Sequence, residues 1–302
     1  MSQTTLQRVG ALSITEAPGV RRLKDGARVV RERYCTATWQ SRVLPELIVA
    51  GAQRCGTTAI TEALYRMPMV ARPRRGKGSH FFSYNYWRGE DWFQGNFATR
   101  ARAERVRRAT GHRLMSFDAC PYYLFHPFAL ERMAKHLPDV KVMVMLRDPV
   151  KRAYSHYHHS VAHGFEDLGF EAALEAEADR LSGEVEAMAA DVRYWSLDHE
   201  HHSYVAKGQY ASQIERLFSL YPREQCLVFS AEQFYADSDG VLGRVTDWLD
   251  LPPATLAPTD ERNGHRYEPM TDATRARLAG AFEESNEALF ELLGERFAWT
   301  RP

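Results

Sequence analysis

Eight consecutive residues, Gly51-Ala52-Gln53-Arg54-Cys55-Gly56-Thr57-Thr58, combine the residue types needed to grip a phosphate or sulfate group. Two glycines let the backbone turn, an arginine supplies a cation, and two threonine hydroxyls stand where a helix would start. The first N–H groups of a helix have no partner within it, and the helix dipole favours negative charge there. The pattern is not that of the nucleoside triphosphatases, which place a lysine directly after the second glycine. Here Thr57 follows Gly56, and the cation, Arg54, lies inside the loop. A second cationic turn, Arg147-Asp148-Pro149, leads into a segment carrying Arg152 and Ser155. Proline suits the first turn of a helix, where its missing N–H costs nothing. Taken alone, the first loop also fits an ordinary strand–turn–helix.

Elements must hold these turns in place. Leu47–Ala50 is a short apolar run, as expected of a strand buried on both faces, and a helix is predicted from Thr57 onward. Val140–Leu146 gives the same strand signal just before Arg147. Further strands are predicted over Met69–Pro73, Arg113–Asp118 and Gln225–Ser230. Helices are predicted over His126–Leu137, from Pro149, and over Glu171–Ala190, Ala211–Tyr221, Val241–Leu251 and Asp272–Leu293. Such alternation predicts an α/β fold with a P-loop-like, mainly parallel sheet flanked by helices on both faces. Both cationic turns would then lie at the carboxyl edge of the sheet, where ligands bind. With no repeat and no linker, residues 44–302 read as one domain. Residues 1–43 read as an extension, a tail followed by a basic surface helix within Val20–Gln40.

Bulk composition narrows the partners. Lys and Arg together number 39, as do Asp and Glu, so no global field draws nucleic acid or an anionic membrane to the chain. No run of about 18 apolar residues occurs. Cys35, Cys55, Cys120 and Cys226 make no CxxC pair, which suggests reduced thiols in a soluble cytoplasmic protein. Asp198-His199-Glu200-His201-His202 has metal-binding residue types. Adjacent histidines on a helix diverge, however, so a polar lid or a solvated helix end is expected there. The aromatic stretch from Tyr84 to Phe97 suits either a cavity wall or plain core.

At this point the chain resembles the sulfotransferases that use 3′-phosphoadenosine 5′-phosphosulfate (PAPS), notably the heparan-sulfate branch and its soluble bacterial relatives. The resemblance spans about residues 44–297 and rests on four segments in order: AQRCGTT, LRDPVKRAYS, the KG-x-Y of Lys207–Tyr210, and the glycine loop Arg262–Tyr267. It implies that Gly51, Gln53, Arg54, Cys55, Gly56, Thr57 and Thr58 hold the 5′-phosphosulfate. Arg147 and Ser155 would bind the 3′-phosphate, with Tyr210, Arg262, Asn263, Gly264 and His265 completing the cofactor site. Three positions depart from the family pattern. Arg54 replaces the loop lysine, Gly78 stands where the heparan-sulfate branch has its catalytic Glu, and Ser83 replaces an acidic residue after Phe-Phe.

These residues imply in-line transfer of a sulfuryl group to a hydroxyl, with Arg54 stabilising charge and His80 as general base. Asp118 and His126 are reserves for the base. Lys77, Phe81, Phe82, Asp118 and Tyr122 are the expected substrate contacts. Without a strong carboxylate base, the acceptor is expected to be a small molecule whose hydroxyl ionises readily, such as a phenol. No metal is required by this scheme. Three alternatives stay open: a carbohydrate sulfotransferase, a nucleotide-binding protein that has lost catalysis, and a metal-dependent nucleoside-triphosphate enzyme.

Overall fold

Side-chain alternation along the strands sorts the core into two layers. The computed structural model describes residues 18–76, 78–254 and 268–299, with side chains from residue 26 onward. Lys77, Arg262, Asn263, Gly264 and His265 therefore lie outside the described residues. The chain opens with α1 (Pro18–Ala37), β1 (Leu47–Gly51), α2 (Thr57–Tyr65) and β2 (Val70–Ala71). Next come α3 (Glu90–Gln94), α4 (Arg100–Thr110), β3 (Met115–Ala119), α5 (Ala129–His136) and β4 (Lys141–Leu146). Four helices follow: α6 (Pro149–Ala162), α7 (Phe170–Leu181), α8 (Glu184–Ala190) and α9 (Leu197–His201). The remainder is α10 (Tyr210–Leu220), β5 (Cys226–Ser230), α11 (Ala231–Ala236), α12 (Ser238–Trp248) and α13 (Asp272–Leu293).

The five strands run parallel in the order β2-β3-β1-β4-β5, so β1 sits centrally with its five residues buried. Ile48, Ala50, Val142, Val144 and Leu146 face one layer, packed with Leu130 and Met133 of α5, Ile214 and Leu217 of α10 and Leu289 of α13. Leu47, Val49, Met143, Met145 and Phe117 face the other, against Ile60 and Leu64 of α2 and Leu242 and Val245 of α12. Helices thus cover both faces, and α/β class and strand positions match the sequence expectation.

Helices α3 and α11 were not expected from sequence, and two further differences have a local cause. The predicted helix over Glu171–Ala190 is two helices, because Gly183 takes a left-handed conformation (φ 78°) between α7 and α8. The charged helix α4 had no apolar period to announce it; no residue of it is buried. Its termini carry the signals instead: Thr99 caps the N-terminus by accepting from the Arg102 N–H, and Gly111 closes the C-terminus at φ 75°. Among the described residues, no helix is long and apolar enough to cross a membrane. Helix α1 is anchored to α3 and its flanks: Glu32 meets Arg75, Arg88 and the Trp92 indole N–H, while Cys35 is buried and accepts from Arg42.

Candidate active site

The 51–58 loop begins where β1 loses its ladder. The register between β1 and β4 shifts after Val49, and the Ala52 N–H turns to the Met145 carbonyl (2.8 Å). Gly56 occupies the left-handed region (φ 89°) and caps α2, and a Cβ there would come within 2.7 Å of the Tyr235 hydroxyl. Only glycine fits this turn. Arg54 also has a positive φ (67°), as does His80 (53°); with Asp250 these are the non-glycine cases among the described residues. Left-handed conformations of side-chain-bearing residues cost about 1 kcal/mol each and gather at functional sites. Both residues expected from sequence to be catalytic are held this way.

The second turn obeys the same logic. Asp148 caps α6, its carboxylate accepting from the N–H groups of Val150 (2.9 Å) and Lys151 (3.2 Å), and Pro149 fills the first helical position. About two turns along, Ser155 faces the 51–58 loop. The Arg54 guanidinium donates from Nε and from a terminal nitrogen to its Oγ, each at 3.3 Å, and Arg147 donates to the Arg54 carbonyl (3.4 Å). The two cationic turns therefore touch. Tyr210, fully buried, ties them from behind, since its hydroxyl donates to the Arg147 carbonyl (3.0 Å) and lies 3.6 Å from Cys55 Sγ. Burial pushes the Cys55 thiol up to about 11, so it stays protonated. The side chains of Tyr210 and Cys55, expected from sequence at the cofactor, thus support the turns from the interior. Thr57 is buried and Thr58 exposed at the start of α2.

Asp118 is corrected from candidate base or substrate contact to brace. Its carboxylate is fully buried and accepts three hydrogen bonds: from the Ser79 N–H (2.6 Å), the Ser79 hydroxyl (2.8 Å) and the Tyr123 hydroxyl (2.8 Å). Burial raises its pKa against the opposing pull of those donors. This network fixes the turn that presents His80, further held by Asn85 and Ser83 donating to the Ser79 and His80 carbonyls. His80 Nδ1 lies 3.1 Å from Cys120 Sγ, and its ring stacks on Tyr84 (4.7 Å). Burial holds the Cys120 thiol well above its ordinary range, so the contact is with a neutral thiol. A base role requires that Nδ1 carry its proton toward the sulfur and that Nε2 keep its lone pair.

Gly78 is more than a missing carboxylate. A Cβ at that position would stand 2.3 Å from the Ala119 carbonyl oxygen, so the backbone of β3 occupies the space a side chain would need. Phe81 and Phe82 are also corrected. They are 1% and 0% exposed and pack with Phe93, Tyr86, Trp92 and Tyr123, in the core and out of a substrate's reach. Tyr122 is equally buried, its hydroxyl 2.8 Å from His199 Nδ1. The reserve base His126 is 4% exposed, and its Nδ1 accepts from the Phe128 N–H (3.2 Å).

The histidine-rich segment is not a solvated helix end. His199, Glu200 and His202 are buried, and Glu200 accepts from the Trp195 indole N–H (2.5 Å). Among the described residues no group of three or more His, Cys, Asp or Glu side chains is placed to hold a metal ion. Instead a chain of ring contacts starts at His80. It passes by Tyr84 to Trp195 (6.4 Å), to His201 (6.0 Å), to Phe165 (3.7 Å), to His163 (6.4 Å) and to His159 (4.1 Å). His159 in turn lies near enough to Arg54 for the guanidinium to disfavour its protonation. Burial is the main cause of the low pKa values here, about 4 for His159 and about 3 for His199 and His201, so these imidazoles are neutral near pH 7. Sequence reading missed Trp195, Phe165 and His159 because they come from separate segments, and it took His201 only as part of a polar segment; their signal was residue type without spacing.

Comparison with known proteins places this arrangement. The family model described as Sulfotransferase domain matches residues 44–272. The chain belongs to the sulfotransferase family, whose transferase domain it carries. It is 24% identical to the membrane-associated sulfotransferase kil1 of Dictyostelium discoideum over 85% of this chain and 66% of that protein. It is 29% identical to human heparan sulfate glucosamine 3-O-sulfotransferase 3B1 over 70% and 47%. With bifunctional heparan sulfate N-deacetylase/N-sulfotransferase 1 of Caenorhabditis elegans the figures are 24%, 83% and 30%. The chain thus spans from under a third to about two thirds of these relatives. A crystal structure of a sulfotransferase from Alicyclobacillus acidocaldarius superposes with a TM-score of 0.65 and 26% identity, covering 85% of this chain and 98% of that one.

Proposed function

We propose that the protein transfers a sulfuryl group from PAPS to the hydroxyl of a small phenolic acceptor. Arg54, Gln53 and the N–H groups at the start of α2 would hold the 5′-phosphosulfate, and Arg147 with Ser155 the 3′-phosphate. That the two turns touch through Arg54 and Ser155 supports one doubly charged nucleotide bridging them. His80 would take the acceptor's proton. A phenol, ionising near pH 10, asks less of a histidine base than a sugar alcohol does.

One observation carries the choice of acceptor, the arc of rings running from His80 to the neighbourhood of Arg54. Flat half-buried rings and neutral imidazoles suit an uncharged aromatic molecule. A polyanionic glycan asks for arginine or lysine along its path, and no member of the arc is an arginine or a lysine. The names of the heparan-sulfate relatives favour the second reading, a carbohydrate acceptor. Four free thiols suit a reducing, cytoplasmic setting.

Incubation with sulfur-labelled PAPS and a panel of phenols, sugars and aliphatic alcohols, read by mass spectrometry, separates the readings. Labelled phenols are expected. Sulfated sugars with phenols untouched would replace the acceptor assignment, and nucleotide binding without transfer to any acceptor would replace the enzymatic one.

A further inference from the structure

A neutral histidine can take a proton only on the ring nitrogen that lacks one, so a base needs its tautomer set in advance. At His80 the surrounding groups do this. Its backbone is held in the left-handed region (φ 53°) and its ring stacks on Tyr84, which turns one ring edge to Cys120 with Nδ1 3.1 Å from Sγ. Cys120 is fully buried. Burial, then the nearby carboxylates of Asp118 and Glu200, keep it a neutral thiol. A thiol has one proton to give and lone pairs to receive, so the contact alone permits either direction.

Two further contacts decide the direction. The Tyr122 N–H and the Ser83 hydroxyl both reach the same sulfur. The N–H is a donor only and takes one sulfur lone pair. Ser83, 1% exposed, gives its own hydrogen to the His80 carbonyl (3.2 Å), which leaves its oxygen facing the sulfur as an acceptor. With the thiol proton directed to that oxygen, the remaining sulfur lone pair accepts from His80 Nδ1–H, and every group is satisfied. With the thiol proton on the histidine nitrogen instead, the buried sulfur and oxygen would meet lone pair to lone pair. The favoured arrangement is a ring of hydrogen bonds that starts and ends on His80: Nδ1–H to Cys120 Sγ, S–H to Ser83 Oγ, and O–H to the His80 carbonyl.

We propose that Cys120 and Ser83 are positioning residues for the transfer, holding His80 in the tautomer protonated at Nδ1. The inference rests on the reading of His80 as base and deepens it. The acceptor's hydroxyl proton passes to Nε2 as the acceptor oxygen bonds to the sulfuryl sulfur. The bond from that sulfur to the nucleotide's phosphate oxygen breaks, and adenosine 3′,5′-bisphosphate leaves with the electron pair. His80 becomes an imidazolium whose Nδ1–H keeps its bond to Cys120, and neither Cys120 nor Ser83 gains or loses a proton. Ser83 departs from the family pattern by lacking a carboxylate. Its oxygen takes the thiol proton that would otherwise occupy Nδ1.

The test reads the tautomer directly. In protein labelled with heavy nitrogen at histidine, long-range proton–nitrogen correlations of the His80 ring, assigned by their loss in His80→Gln, should place the proton on Nδ1. A proton on Nε2 in the wild type would overturn the proposal. Cys120→Ala should give mixed tautomers and lower kcat with β-naphthol about fivefold to tenfold, as for one lost hydrogen bond, with the acceptor KM within about twofold. Cys120→Ser, which keeps a donor and an acceptor in place, should restore both the tautomer and, within about twofold, the turnover. Ser83→Ala should move the proton to Nε2, because the thiol then turns to the ring, and cut kcat at least as far. With para-nitrophenol, which ionises near neutrality and asks little of a base, both alanine variants should stay within about twofold of wild type. Equal losses with both phenols, or Cys120→Ser no better than Cys120→Ala, would overturn the assignment and leave Cys120 a packing residue. Wild-type protein with the proton on Nδ1 that sulfates no acceptor would overturn the base reading and the role of both residues with it, an outcome distinct from the wrong tautomer.

Discussion

The cofactor half and the acceptor half proposed for this site are built on opposite plans. The cofactor half is two short stretches, 51–58 and 147–155, each a strand end, a turn and a helix start. The acceptor half draws its rings from three separate segments: His80 and Tyr84, His159 through Phe165, and Trp195 through His201. Gripping a phosphate needs mainly backbone N–H groups and one or two cations, which a local turn can supply. Shaping a wall for an organic acceptor needs side chains of particular outline, which a chain gathers from wherever the fold brings them together. The first kind of site leaves a contiguous pattern; the second leaves none.

Substitutions can break this contrast or sharpen it. Arg54→Ala should cost the most, about a hundredfold or more in kcat, equivalent to about 3 kcal/mol of lost charge stabilisation; near-wild-type turnover would remove it from the chemistry. Arg147→Ala comes next. It should weaken adenosine 3′,5′-bisphosphate by on the order of tenfold to a hundredfold, the range expected for one charge-assisted hydrogen bond, with the acceptor KM unchanged. Trp195→Ala should do the reverse, raising the phenol KM about fivefold, or about 1 kcal/mol, and leaving nucleotide affinity alone. A matching loss of nucleotide binding would mean the two halves are not separable. Tyr210→Phe should be mildest, lowering stability by about 1 kcal/mol in chemical denaturation through loss of one buried hydroxyl's bonds.

Acid should also distinguish the halves. His126, His156, His159, His199 and His201 are all held below the ordinary histidine value, chiefly by burial. The unfolded chain binds protons at these positions from about pH 6.5 downward while the folded chain does not, so stability falls as pH drops through that range. Buried Asp118, Glu177 and Glu200 are shifted upward and act in the opposite sense, but their unfolded forms titrate only near pH 4 to 4.5. Between about pH 7 and pH 5.5 the histidines dominate. Hydrogen exchange should show α9 and the C-terminal part of α6 opening first. Uniform protection across that interval would contradict the placement of neutral histidines in the acceptor half.

Much of the fold was legible in the sequence because a parallel sheet buried on both faces writes its strands as apolar runs. Leu47–Ala50 and Val140–Leu146 show this, and both cationic turns followed from them. What was not legible has specific physical causes. Phe81 and Phe82 were expected as substrate contacts but lie in the core, since an aromatic run does not tell which way its rings point. Asp118 looked available as a base until its three donors were visible, because carboxylate saturation depends on Ser79 and Tyr123 reaching it in space. The histidines at 199–202 suggested solvent, and only packing revealed them as buried.

The brace supplied by Tyr210 has one further consequence. By binding one turn at the Arg147 carbonyl and contacting the other at Cys55, a single phenol holds the pair together, so on the proposed reading the cleft would act as a gauge of ligand length. A nucleotide with both anions on one ribose gains its second grip at high effective concentration. One with a lone phosphate, such as adenosine 5′-phosphate, forfeits that gain however well it fits either turn. Discrimination between these nucleotides would then be set by a strut in the interior that never meets the ligand it selects.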